Sequence, residues 1–263
     1  MIYFLFMFFI LNGRKGQVTL FIIVGLVLVT GVLFFLFLNR SDDSFEDDFL
    51  RSSDIGAVLA NINSYSNQCF EIVVERSIVN VLSQGGFFDL SGVASLDVLG
   101  FDIPFYLYDG VASVPDESVV LDSIKASIVE NFDVCVDDFS VFDDFDIVLE
   151  KSESVADVDL DEGLFISLDP NVRILSEDSS FSVDSSSVFV PLDLGRLLSV
   201  ANSIVLEHVD FDSGFLAISR VESVALSNSV SFDVFGFEND AIFILKDDVD
   251  SVFALMFILD VSG

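Results

Sequence analysis

The pattern of apolar and polar positions divides the chain into two unlike parts. From Val18 to Leu38 no residue is charged, and most are Phe, Leu, Ile or Val. A helix of this length rises about 31 Å, which matches the hydrocarbon core of a bilayer. Because a soluble core would not surround a helix with apolar side chains on every side, the pattern predicts one transmembrane α-helix over residues 17–38.

Further along the chain, apolar residues recur at the three- and four-residue spacing of helices. One helix is predicted to begin at Asn67 and to stop at Gln84-Gly85-Gly86, because glycine commonly follows the last helical residue. Two others are predicted over Pro115–Phe132 and Leu194–His208.

Short runs rich in Val, Ile and Phe lie between and after these helices and predict strands. Asp169-Pro170-Asn171 has the composition of a hairpin turn between two of them. Helices and strands do not alternate regularly, which favours an α+β fold over a doubly wound sheet. The predicted strands are Ile103–Tyr108, Phe145–Glu150, Leu164–Leu168, Val172–Leu175, Val188–Leu192, Val230–Phe235, Ala241–Leu245 and Val252–Leu259.

The predicted organisation therefore has four parts. Residues 1–16 form a leader or cytoplasmic segment, and residues 17–38 form the transmembrane helix. Residues 39–66, rich in Ser, Asp and Asn, form a stalk or an irregular helix leaving the membrane. Residues 67–263 form an extracytoplasmic α+β domain, which would divide near residue 150 if it contains two subdomains. The role of residues 1–11, which are apolar but too short to span a bilayer, is left open.

Charge adds an orientation to this organisation. The chain has 44 acidic and 11 basic residues and a net charge of −33, yet no acidic residue precedes Asp42. Arg14 and Lys15 lie just before the apolar run and Arg40 follows it, so the positive-inside rule places the C-terminal domain outside the cytoplasm. Such a negative surface repels phosphate, which excludes nucleic acid as a partner. A salt-rich habitat and a bias in the nucleotide composition of the gene explain the excess of acidic residues equally well.

Cys69 and Cys135 both lie beyond the predicted membrane helix. Outside the cytoplasm, two such residues are most simply joined by a disulfide. The alternative is a pair of buried free thiols. No Cys-x-x-Cys redox motif is present.

Candidate catalytic and metal-binding chemistry is sparse. One histidine and two cysteines cannot close a Cys/His zinc site. The acidic run from Asp157 to Gly163 lacks the glycine and glutamate positions of a calcium-binding EF-hand loop and is interpreted as a solvated face. His208 is the only histidine, and no nucleophile motif accompanies it. We therefore expect no catalytic residue, no cofactor and no metal site.

The run Arg14-Lys15-Gly16-Gln17-Val18-Thr19-Leu20-Phe21 resembles the class III signal of archaeal pilin-like proteins. In that family a basic pair and a glycine precede the glutamine that begins the hydrophobic helix. The resemblance implies that a prepilin-type peptidase cleaves between Gly16 and Gln17.

The wider layout resembles uncharacterised single-span archaeal surface proteins. The resemblance lies in the Cys69 helix that runs into Gln84-Gly85-Gly86-Phe87, in the strand Ile103–Tyr108, and in the helix that ends near Cys135. It implies a single-pass location in the cell membrane and this architecture, and it implies no activity.

These observations lead to one main functional expectation and two alternatives. The main expectation is a non-enzymatic, membrane-anchored cell-surface protein with an interaction or structural role. Its partners would be the lipid bilayer and other surface proteins or copies of itself. The first alternative is a type IV pilin-like subunit processed at Gly16-Gln17. The second is a membrane-anchored hydrolase, which would need His208 beside a serine and a carboxylate.

Overall fold

A computed structural model describes residues 55–261, apart from 99, 144, 146, 177–178, 210–217, 238 and 249–250. The predicted leader, the membrane helix and the stalk before residue 55 lie outside the described residues. Among the described residues, no helix combines the length and the apolar character needed to cross a bilayer. The chain divides into units Met1–Val58 and Leu59–Gly263, and the elements below belong to the second unit apart from the first turn of α1.

The described part contains four α-helices and a 3₁₀-helix, Asp137–Phe142, that directly follows the second of them. The three predicted helices are present, but α1 begins at Ile55 rather than at Asn67. Ile62 and Ser66 lie one turn apart on the buried face of α1. The buried face of the helix therefore begins earlier than the composition suggests. The α-helices are α1 Ile55–Ser83, α2 Glu117–Val136, α3 Leu194–Val209 and α4 Ile218–Ser227.

The strands form three sheets, and together with the helices they make the predicted α+β fold. Every predicted strand overlaps an observed one, whereas β1, β3, β5 and β8 were not predicted. The strands are β1 Ser95–Val98, β2 Phe101–Tyr108, β3 Val111–Ala112, β4 Val148–Lys151, β5 Val155–Leu160, β6 Leu164–Asp169, β7 Val172–Ser176, β8 Ser179–Ser182, β9 Ser186–Val190, β10 Ser231–Phe237, β11 Asp240–Lys246 and β12 Ala254–Asp260.

The largest sheet has the order β1-β2-β12-β11-β10, and β3 also pairs with β2. Its neighbouring strands are antiparallel except β12 and β2, which run parallel. On one face the rings of Tyr106, Phe257 and Phe243 stack, with successive centroids 4.5 and 5.2 Å apart. The opposite face carries the buried cluster of Ile103, Phe105, Ile242 and Ile258. Apolar residues on both faces explain why these strands appear in the sequence as continuous hydrophobic runs.

The predicted hairpin at Asp169-Pro170-Asn171 is wrong. β6 belongs to the sheet β5-β6-β9 and β7 to the sheet β4-β7-β8, so the segment connects two sheets. The turn itself forms: Asn171 has a φ of 49°, and its backbone N–H donates to Asp169 Oδ1 at 2.9 Å. Turn chemistry is local, and it does not determine which strands pair on either side of the turn.

The acidic run that begins at Asp157 lies largely in β5. Val158 points into the core, while Asp157 and Asp159 point to solvent, as strand alternation requires. Lys125 of α2 contacts Asp157, with Nζ and Oδ1 3.0 Å apart, and this contact lowers the pKa of the Asp157 carboxyl. The predicted solvated face is therefore one side of an edge strand.

Helix α1 ends at the predicted glycines through a Schellman motif. The N–H of Gly86 donates to the carbonyl of Val81 at 2.8 Å, and the N–H of Gly85 donates to that of Leu82 at 3.1 Å. A Cβ atom at Gly85, where φ is +58°, would lie 2.4 Å from Pro104 Cγ. The end of α1 therefore meets β2 with no room for a side chain.

Replacing Gly85 by alanine is expected to destabilise the fold by roughly 2–5 kcal/mol, because left-handed strain adds to overpacking. Gly110 is the matched control: its φ is +73°, and no atom lies within 4 Å of its Cβ position. Gly110→Ala should destabilise the fold only by the left-handed backbone strain, about 1–2 kcal/mol. Chemical unfolding of both full-length variants measures the difference, and equal losses would contradict the close approach at Gly85.

Tyr106 provides a second check on the core. Its side chain is fully buried, its hydroxyl donates to the Gly85 carbonyl at 2.8 Å, and burial raises its pKa far above the ordinary value. Above about pH 10 the unfolded chain loses this proton while the native chain keeps it, so the unfolded state binds fewer protons. Stability should then fall by up to about 1.4 kcal/mol per pH unit from this residue.

Unfolding measurements between pH 9 and pH 11 test this expectation. Tyr106→Phe should be about 1–2 kcal/mol less stable at neutral pH, because the Gly85 carbonyl loses its hydroxyl donor. In the same variant, the free energy of unfolding should fall less steeply as the pH rises, because the contribution of Tyr106 is gone. An unchanged slope in Tyr106→Phe would show that the hydroxyl is not buried.

Candidate functional site

The candidate site lies between helices α1 and α2, which run antiparallel. Near the C-terminus of α2, Tyr65 of α1 donates its hydroxyl to the Cys135 carbonyl at 3.1 Å. At the other end, Gly86 approaches Val120 so closely that a Cβ would lie 2.7 Å from Val120 Cγ2. The two helices are therefore in contact from the first turns of α2 to its last turn.

The predicted disulfide between Cys69 and Cys135 is confirmed. It joins the middle of α1 to the last turn of α2, and the two Cα atoms are 5.7 Å apart, within the usual range for bridged cysteines. The ring of Tyr65 packs edge-on against Phe139 and Phe142 of the 3₁₀-helix next to it. The bridge and this aromatic group fix one end of the helix pair.

A small polar seam lies between the helices. Ser77 of α1 and Ser127 of α2 are both buried. The side-chain amide of Asn131 donates to the Ser127 carbonyl at 2.8 Å, to the Ser127 hydroxyl at 3.1 Å and to the Ser77 hydroxyl at 3.4 Å. Because these hydroxyls have a partner, the seam avoids the cost of unsatisfied buried polar groups.

A cleft of about 340 Å³ opens beside this seam, at the lower end of the size range of ligand sites. Its walls are formed by the last turns of α1 and the segment that follows, by the C-terminal half of α2, and by the β1–β2 turn with the first residues of β2. The lining includes the side chains of Asn80, Gln84, Phe88, Phe101, Asp102, Glu130 and Asn131. No lysine or arginine lines the cleft.

Four polar side chains at the cleft are available to a ligand. Among the described residues, those of Asn80, Gln84, Asp102 and Glu130 make no hydrogen bond or ion pair. Phe101 stands beside them with 59 % of its surface exposed. The ring of Phe88 also lines the cleft, with 36 % of its surface exposed. The cleft thus combines two free amides, two free carboxylates and two accessible aromatic rings.

A smaller cavity of about 160 Å³ between α2 and β4 is different, because its polar groups already satisfy one another. Ser154 donates to Asp133 at 3.1 Å, and Lys151 Nζ lies 2.9 Å from Asp138 Oδ1 and 5.8 Å from the ring centroid of Phe139. Asp138 and Phe139 adopt left-handed backbone conformations at this point. The polar groups of this cavity are therefore paired with one another, unlike the free ones of the larger cleft.

His208 lies in the last turn of α3, away from both cavities. Its Nδ1 atom is buried and has no hydrogen-bond partner in the described part of the chain. A hydrolase would need a serine hydroxyl bonded to this imidazole and a carboxylate to orient it. No observation on the described residues supports the hydrolase alternative.

Two aspartates have a structural role at the start of α3. Asp247 contacts the Arg196 guanidinium, and its carboxylate accepts the backbone N–H of Asp193 at 3.1 Å. Asp193 in turn accepts the N–H of Arg196 at 2.9 Å and caps the start of α3. The two carboxylates therefore fix α3 to the end of β11. Over the described residues, no group of three or more His, Cys, Asp or Glu is placed to hold a metal ion.

Gly16 and Gln17, the predicted processing site, lie outside the described residues. The cleft residues, by contrast, are described but were not predicted as a site. Asn80, Asp102 and Glu130 belong to three elements that are far apart in sequence, and each resembles an ordinary solvated polar residue. Only the meeting of α1, α2 and the β1–β2 turn brings them together.

Comparison of the chain with protein-family models, with curated proteins and with solved structures finds no match in any of the three. The resemblances noted around Gly16 and Cys69 therefore stay predictions.

Removing the disulfide should loosen the helix pair that forms the cleft. In the chain-entropy model, a disulfide between residues 66 positions apart stabilises the fold by about 4 kcal/mol. The double variant Cys69→Ser/Cys135→Ser should be less stable by about that amount. Denaturant unfolding of the full chain measures the loss, and wild-type protein in reductant is the control. Equal stability of the oxidised and reduced wild-type chains would contradict the bridge.

Proposed function

We propose that this protein is a non-enzymatic, membrane-anchored cell-surface protein whose α+β domain contacts other components outside the cytoplasm. The observation that carries the proposal is the disulfide between Cys69 and Cys135. Disulfides form and persist in oxidising compartments and are rare in the cytosol. The bridge therefore supports an extracytoplasmic domain independently of the positive-inside argument.

The anchor rests on sequence. The uncharged run from Val18 to Leu38 has the length and composition of a single membrane span. Arg14 and Lys15 precede it, and the acidic residues all follow it. This asymmetry supports an N-terminus in the cytoplasm and a large domain outside.

An interaction role agrees with the chemistry of the cleft. Its amides, carboxylates and exposed ring can bind and orient a ligand, and they leave no side chain placed as an activated nucleophile. The net charge of −33 keeps the surface hydrated and disfavours polyanionic partners. Both properties suit a domain that recognises another surface component.

A type IV pilin-like subunit is the second candidate, because Arg14-Lys15-Gly16-Gln17 matches the processing signal of that family. Phe21 stands where pilins usually carry a glutamate that assists subunit docking. This difference weakens the argument for filament assembly and leaves membrane anchoring unaffected.

Protease treatment of intact cells tests the proposed location. A tag placed after Gly263 should be digested from outside, whereas a tag placed before Arg14 should resist until the cells are lysed. A known cytoplasmic protein in the same cells is the control for leakage. Protection of the C-terminal tag in intact cells would contradict the proposal.

The mature N-terminus separates the two candidates. Mass spectrometry should find residues before Gly16 still attached if the protein is a simple anchored surface protein. A mature chain that begins at Gln17, together with filaments in electron micrographs, would instead establish the pilin-like subunit.

A further inference from the structure

We propose that the cleft between α1 and α2 binds a neutral saccharide, with one sugar ring against Phe101 and its hydroxyl groups on the free polar side chains. This inference rests on the proposed interaction role and makes it more specific, because a domain outside the cytoplasm is exposed to extracellular saccharides. It depends on the charge of the cleft, on the hydrogen-bonding capacity of its walls and on the exposed ring.

Charge excludes one large class of ligands. No lysine or arginine lines the cleft, and Asp102 and Glu130 both contribute carboxylates to it. Phosphates, sulfates and acidic sugars would meet like charge without any compensating cation, which costs free energy. A ligand for this cleft is therefore neutral or cationic.

Hydrogen-bonding capacity favours the neutral class. The carboxylates of Asp102 and Glu130 only accept hydrogen bonds, whereas the amides of Asn80 and Gln84 both donate and accept. An ammonium or guanidinium group can satisfy the carboxylates but offers no acceptor to the amide N–H groups. A hydroxyl group donates and accepts at one atom, so a polyhydroxylated ligand matches all four side chains.

The exposed ring supplies the apolar part of the match. Phe101 presents the more exposed of the two aromatic rings that line the cleft, beside its four free polar side chains, and Phe88 presents the other. A pyranose ring has an apolar C–H face and a polar edge, and so it can cover Phe101 while its hydroxyls reach the carboxylates and amides. A polyhydroxylated ligand without an apolar C–H face would leave the Phe101 ring exposed to water.

The cleft is also rigid enough to select a shape. Its two helical walls are held by the Cys69–Cys135 bridge at one end and by the Gly85-Gly86 contact at the other. Between these two points, Asn131 of α2 donates across to the Ser77 hydroxyl of α1 at 3.4 Å. Pre-organised walls reduce the entropy lost on binding.

An array of neutral, acidic and amino oligosaccharides, printed beside lysine- and arginine-rich peptides, tests the proposal with the full chain in detergent. The protein should bind neutral oligosaccharides and should bind neither the acidic sugars nor the peptides. Isothermal titration with the best neutral oligosaccharide then compares variants. Binding confined to the cationic peptides or amino sugars, or no binding at all, would overturn the proposal.

Two variants and a matched control locate the binding. Phe101→Ala should weaken neutral oligosaccharide binding about tenfold, which corresponds to the loss of one stacked and buried aromatic contact. Glu130→Ala should also weaken it, through the lost acceptors. Phe235→Ala removes an equally exposed ring, 55 % accessible, from β10, which does not line the cleft, and should leave binding unchanged. Full affinity in Phe101→Ala would refute this site.

Failure of this inference is distinguishable from failure of the proposed function. A domain that is digested on intact cells but binds no neutral saccharide leaves the surface role standing and rejects the ligand. A domain that binds saccharide through Phe101 but is protected on intact cells supports the ligand and rejects the surface role.

Discussion

The contact between the end of α1 and strand β2 is the constraint on which the rest of the domain depends. At Gly85 the helix backbone lies against Pro104, and the buried hydroxyl of Tyr106 donates to the Gly85 carbonyl. Such an approach is possible only without a side chain, and the left-handed turn that follows is easiest for glycine. The turn therefore sets where the helix pair lies on the large sheet, and the stacked rings of Tyr106 and Phe257 continue this contact into the core.

The disulfide acts on the same helix pair from the opposite end. Because the bridge and the glycine turn lie far apart along α1, sliding or splaying of α2 would have to break one of them. The cleft lies between these two fixed points. Its shape is thus a consequence of how the two helices are held.

The abundant carboxylates are used in two ways. A few make specific contacts: Asp193 caps α3, Asp247 contacts Arg196, and Asp157 pairs with Lys125 at the surface. With 44 acidic residues against 11 basic ones, most carboxylates have no cation available to them and remain in water. Exposed ion pairs contribute little to stability, so the fold is held by its apolar core, its glycine turn and its disulfide.

Sequence alone determined the features that depend on neighbouring residues: the helical stripes, the glycine stop at Gly85, most strands and the α+β class. It also indicated the disulfide, because two cysteines predicted to lie in the same oxidising compartment can form only one pair. Local patterns could not reveal that β6 and β7 join different sheets, that α1 begins at Ile55, or that Phe101 and Glu130 share a cleft. Only the tertiary structure decided these points, because strand pairing and site assembly depend on contacts between residues distant in the chain, and short segments carry no record of them.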